Sequence, residues 1–90
     1  MKTELHSFGI VLEAENWADK LYLADLYISA IDHKDLLDYV EFSGTYHEKI
    51  DEEFLTISGD ISDALTEENK KDPYSIAEVV ESMTIMPSGL

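Results

Sequence analysis

Ninety residues with 44% apolar content, including one tryptophan, five tyrosines and three phenylalanines, suffice for a single hydrophobic core and are too apolar for a disordered acidic tail. Twenty Asp and Glu face six Lys and no arginine, a formal net charge of −14 that excludes direct binding of nucleic-acid phosphates and disfavours anionic membrane surfaces. With no cysteine, neither a disulfide framework nor a thiolate metal site is available.

The opening "MKTELHSFGIVLEAENW" has early acids and one short apolar stretch, which fits no signal peptide. No apolar run approaches the ~18–20 residues needed to span a bilayer. The expectation is a cytoplasmic, single acidic globular domain over residues 1–90.

"FGIVLEA" reads as a short strand, with Gly9 arguing against a helix there. In "AENWADKLYLADLYISAID", Ala14, Trp17, Leu21, Ala24, Ile28 and Ile31 recur at spacings of three and four, one apolar face of a helix, with Trp17 on the core side. Leu23, Leu26 and Ala30 widen that apolar surface. Asp32 is a candidate N-cap for a second helix carrying Leu36, Leu37 and Val40 on one face. Ser43-Gly44 breaks the pattern, and Thr45 with Glu48 has capping-box spacing ahead of Ile50, Phe54, Ile57, Ile61 and Ala64. Gly59 would kink that third helix, and "EFLTIS" read as a strand is its competitor. "TEENKKD" predicts a loop, Asp72-Pro73 an N-cap followed by proline at the first helical position, and Ile76, Val79, Val80 and Met83 a last apolar stripe. "MPSGL" reads as a frayed tail. The sum is a mainly α fold, a small bundle of about four helices with room for a short N-terminal strand. The alternative is a small α+β domain pairing "FGIVLEA" with "EFLTIS" or "MTIMP".

Catalytic chemistry has no anchor. His6, His33 and His47 share no helical i,i+4 relation, and "HEKID" lacks the second imidazole of a zinc-binding H-E-x-x-H helix. The acids of "GDISDALTEE" do not follow calcium-loop spacing. The expectation is a non-enzyme with no cofactor and no dedicated metal site.

The acids themselves carry the functional reading. "DYVEFSGTYHEKIDEEF" holds six carboxylates and one lysine. On the helical reading Asp35, Asp38 and Glu41 form a row of i,i+3 steps. Glu48 with Glu52 and Asp63 with Glu67 are i,i+4, Asp60 with Asp63 and Glu78 with Glu81 are i,i+3, and Asp51 and Glu53 thicken the cluster. Like charges so placed cost a helix about 0.2–0.5 kcal/mol per pair, so folding does not call for them. Carboxylates about 4.5–6 Å apart along a helix are bracketed by one or two phosphate steps of about 3.4 Å. Tyr39 and Tyr46 lie beside the densest acids and add hot-spot chemistry.

These residues, Asp35, Asp38, Tyr39, Glu41, Tyr46, Glu48, Asp51, Glu52, Glu53, Asp60, Asp63 and Glu67, are the expected partner-binding surface. The expected partner is a basic protein, a nucleic-acid-binding protein or nuclease whose groove the chain blocks; a homodimer is also compatible. In size and charge, though over no alignable stretch, the chain resembles phage-encoded DNA mimics that inhibit restriction or CRISPR enzymes. An immunity- or antitoxin-type inhibitor of a basic nuclease shares that physics. An acidic structural or regulatory adaptor, whose charge only keeps it soluble, is the alternative of a different class.

Overall fold

The computed structural model describes residues 1–33, 40–50 and 53–87. Five strands, β1 (Lys2–His6), β2 (Gly9–Glu13), β3 (Val40–Ile50), β4 (Glu53–Gly59) and β5 (Val80–Pro87), form one sheet in the order β1-β2-β5-β3-β4. Every neighbouring pair is antiparallel. Two helices, α1 (Trp17–Asp32) and α2 (Pro73–Val79), pack on each other and on one face of that sheet. The expected four-helix bundle is therefore wrong, and the α+β alternative, with "MTIMP" paired to "GIVLE", describes the molecule.

The correction centres on residues 40–59. The capping-box spacing of Thr45 and Glu48 falls in the middle of β3, and the presumed helix through Ile50, Phe54 and Ile57 is a β-hairpin. Strand chemistry outweighs helical spacing here because Val40, Phe42, Gly44 and Tyr46 alternate with polar residues, the period-2 signature of a half-buried strand. Ile61 and Ala64 belong to a single 3-10 turn, Ile61–Ala64, and not to a longer helix. Asp32 is the last residue of α1, and the helix expected after it, with Leu36 and Leu37, falls outside the described residues.

The helix expected after Asp72 stops at Val79, and Val80 and Met83 of its expected stripe belong to β5 instead; the starts of both helices have local chemistry behind them. Asn16 caps α1 by accepting the Asp19 N–H at 2.9 Å, and the Asp19 carboxylate in return accepts the Glu15 N–H at 3.0 Å. The Met1 ammonium, 2.8 Å from Asp19, donates to that carboxylate and holds it below the usual carboxyl range. Asp72 accepts the Tyr74 N–H at 3.1 Å and the Ser75 hydroxyl at 2.8 Å, and Pro73 fills the first turn of α2.

The core lies between the helices and the inner sheet face. Leu23, Ala24 and Tyr27 of α1 meet Ile76 and Ala77 of α2, Val80 and Met83 of β5, Tyr46 of β3, and Ile61. Burial pushes the Tyr27 phenol above its ordinary value. The fully buried side of α1 is thus Leu23-Ala24-Tyr27-Ala30, with Leu21, Ile28 and Ile31 of the expected stripe partly buried at its margin. Trp17, expected on the core side, is 47% exposed; β5 reaches only to Val80, and beyond it Trp17 faces an open groove across from β3 and β4. The outer face of β3, β4 and β5 carries Ser43, Thr45, Thr56, Ser58, Ser82 and Thr84, the polar side expected of a sheet packed on one face only.

Candidate functional site

β5 begins where α2 ends. Its last pair with β3 at that end is Tyr46 with Val80, while β3 runs on to Ile50 and remains paired to β4 alone. This two-stranded arm projects past the sheet and leaves a groove of about 670 Å³ between itself and the helix ends. The arm supplies His47, Glu48 and Phe54; the 3-10 turn, Asp63 and Ala64; the end of α2, Glu78 and Val79; the start of α1, Trp17.

The β3–β5 pairing shifts register between Thr45 and Tyr46, next to His47 of the groove. Glu81 lies at that irregularity and accepts from the Lys20 ammonium at 2.7 Å, while His47 Nε2 stands 3.3 Å from the same oxygen. The pair fastens α1 to the sheet, and its charges cancel locally. The His47 ring also lies 5.8 Å from that of Phe54. Glu48, Asp63 and Glu78 are all exposed and form no ion pair among the described residues. Two exposed aromatic surfaces, Trp17 and the 66% exposed Phe54, stand among these three carboxylates. Carboxylates beside open aromatic faces suit a guanidinium or ammonium group, through charge and through the ring quadrupole.

The expected site residues are dispersed by this fold. Glu48 and Asp63 meet in the groove. Tyr46 is core, 8% exposed, because it faces inward opposite Val80 and Ile57. Glu53 opens β4 beside Ile50, Phe54 and Leu55. Asp60 caps the 3-10 turn by accepting the Ser62 N–H at 2.9 Å, and Glu67 holds Lys70 at 2.9 Å. Glu41 sits on β3 opposite Met86. Asp35, Asp38, Tyr39, Asp51 and Glu52 lie outside the described residues. Trp17, His47, Phe54 and Glu78 complete the groove and were not among the expected residues; the period-2 pattern of "VEFSGTYHEKI" is the signal that would have set His47 and Phe54 side by side.

The helical rows of charge are also corrected, since Glu48 stands on a strand and Asp63 on a 3-10 turn. A phosphate-like pitch is therefore not a property of these acids. Among the described residues no three His, Asp or Glu form a group that could hold a metal ion, and no helix is long and apolar enough to cross a membrane. Comparison with protein families, curated proteins and solved structures finds no match to this chain.

The charge has a direct consequence for stability. Among residues whose exposure is described, every Asp and Glu except Asp19 and Glu81 is exposed, so most of the repulsion behind the net charge of −14 acts through water and is screened by salt. Raising NaCl from 20 to 500 mM is expected to raise the melting temperature, by about 4–8 °C for each kcal/mol of repulsion relieved. A calorimetric melting temperature that stays flat or falls would mean that the fold already compensates its charges.

Proposed function

We propose that this chain is a small acidic inhibitor that binds the basic, nucleic-acid-binding groove of a partner protein. The observation that supports it is the convergence of Glu48, Asp63 and Glu78 on Trp17 and Phe54 in an open groove, within a chain of net charge −14. Folding does not require that arrangement: the three carboxylates repel one another, and the aromatic surfaces stay in water. A basic partner relieves both, since its Lys and Arg side chains pair with the acids and cover the rings. Attraction between oppositely charged surfaces also speeds encounter at low salt. The reading rests on charge and on the groove; imitation of a phosphate repeat is no part of it.

The test is capture of a basic protein from lysate at low salt, its release at high salt, and displacement of labelled nucleic acid from that protein by excess chain. Replacing Glu48, Asp63 and Glu78 together by Gln, Asn and Gln is expected to weaken binding roughly 10- to 100-fold, at about 0.5–1 kcal/mol for each exposed pair lost. The same variant should fold with unchanged or slightly higher stability, because repulsion is relieved. A captured partner that binds the chain and its own nucleic acid simultaneously would exclude groove blocking. A partner whose binding ignores both salt and the triple substitution would favour the adaptor whose acidity serves solubility.

A further inference from the structure

The two outer edges of the sheet are not equivalent, and the difference is written in their charges. An unpaired strand edge is a template for another strand, and proteins commonly block it with charge. β1, with the sequence KTELH, is charged along its length, and pairing all five residues antiparallel with its own copy sets Glu4 directly against Glu4. β4, with the sequence EFLTISG, is not blocked. Among the described residues it has a strand neighbour on one side only, and its single charge is Glu53, at its first position.

We infer that β4 is a self-association edge at which two copies of this chain pair antiparallel about Thr56, joining their sheets into one of ten strands. In that register Glu53 faces Gly59 of the second copy, Phe54 faces Ser58, Leu55 faces Ile57 and Thr56 faces Thr56, so no carboxylate lies opposite another. The 53% exposed Leu55 stands on the same sheet face as the half-buried Ile57, and the pairing covers it with an apolar neighbour. In a chain with twenty acids, seven consecutive residues able to meet themselves without like-charge contact are the segment where a second copy fits. One strand pair falls short of the roughly 1,000 Å² that marks a stable interface, and each copy carries −14. The association is therefore weak, concentration-dependent and promoted by salt. It is independent of what the acidic groove binds.

Sedimentation velocity over a wide concentration range at 50 and 500 mM NaCl tests this. The dimer fraction is expected to rise with concentration and to be larger at high salt. Thr56→Lys and Thr56→Glu should each be monomeric at concentrations where the wild type dimerises, because both place like charges across the two-fold axis. Thr56→Lys does so while lowering the net charge, so general repulsion cannot explain its loss. An equimolar mixture of the two variants should recover dimer, as lysine then faces glutamate. If circular dichroism shows that a Thr56 variant does not fold, Leu55→Lys, at an exposed position of the same strand, takes its place for the loss of dimer. A wild type monomeric under all conditions, variants that dimerise like the wild type, or a mixture that does not recover would overturn the proposal.

Discussion

Gly44→Val is expected to be the most damaging single substitution in the sheet, lowering stability by about 3 kcal/mol or more, the upper end of the cost of forcing carbon into a packed interior. Gly44 lies on the inner face of β3, opposite Met83, beside the register shift. A Cβ there would collide with the backbone carbonyl oxygen of Ser82 and stand 2.9 Å from Ile61 Cδ1. Neither neighbour yields easily. Ser82 belongs to the central strand, held by β2 on one side and β3 on the other, and Ile61 is 1% exposed within the core. Against this, removing a glycine gains about 0.5–1 kcal/mol through the unfolded chain and strand propensity, so the collision wins. A domain of this size has about 5–13 kcal/mol in total, and the melting temperature should fall by at least about 12 °C. Urea denaturation measures the effect, with Ser43→Ala on the open face as a control expected within about 0.5 kcal/mol of wild type. Ile61→Val introduced beside Gly44→Ala should restore only part of the loss, since it removes the Cδ1 contact and leaves the Ser82 carbonyl. A Gly44→Val protein as stable as wild type would mean that β3 and β5 do not approach in this register.

Leu23→Ala is expected to cost about 2–5 kcal/mol, the range for truncating a fully buried leucine where the cavity cannot collapse. Leu23 is 0% exposed, enclosed in the cluster that joins α1 to α2 and β5. The comparison that decides the orientation of α1 is Trp17→Ala. It removes the larger side chain, yet is expected to cost less, because nearly half of the indole already lies in water. Chemical denaturation of the two variants at matched ionic strength gives the ranking. Trp17→Ala as the more destabilising change would place the Ala14-Trp17-Leu21 side of the helix inward.

That ranking isolates what local pattern conveys. Asp72-Pro73 and the apolar periodicity of residues 17–32 announce α2 and α1, because caps, proline and helical hydrogen bonds lie within a few residues of one another. Which side of α1 faces inward is not local. Residues 21–31 are apolar on more than half the helix circumference, so the side chosen is the one with partners, and Ile76, Ala77 and Met83 arrive only when α2 and β5 dock. The groove has the same origin. Glu48 and Asp63 belonged to the expected surface, but Trp17, Glu48, Asp63 and Glu78 lie on four separate elements whose meeting depends on where β5 begins.

The size of the core, the absence of disulfide chemistry, the acidity and the two helix starts follow from the residues alone, because they depend on composition and on neighbours in the chain. The sheet does not. A strand's hydrogen bonds are made to another segment, and β5, the last element, inserts between β2 and β3. Until it does, the two hairpins share no strand contact, and the spacing of Ile50, Phe54 and Ile57 fits a helix as well as a strand. Pairing of Met83, Thr84 and Ile85 with Gly44, Ser43 and Phe42 fixes β3 in the sheet, and β3 in turn sets Ile57 of β4 opposite Tyr46, since an alternating strand buries its inner side chains only when a partner completes the sheet.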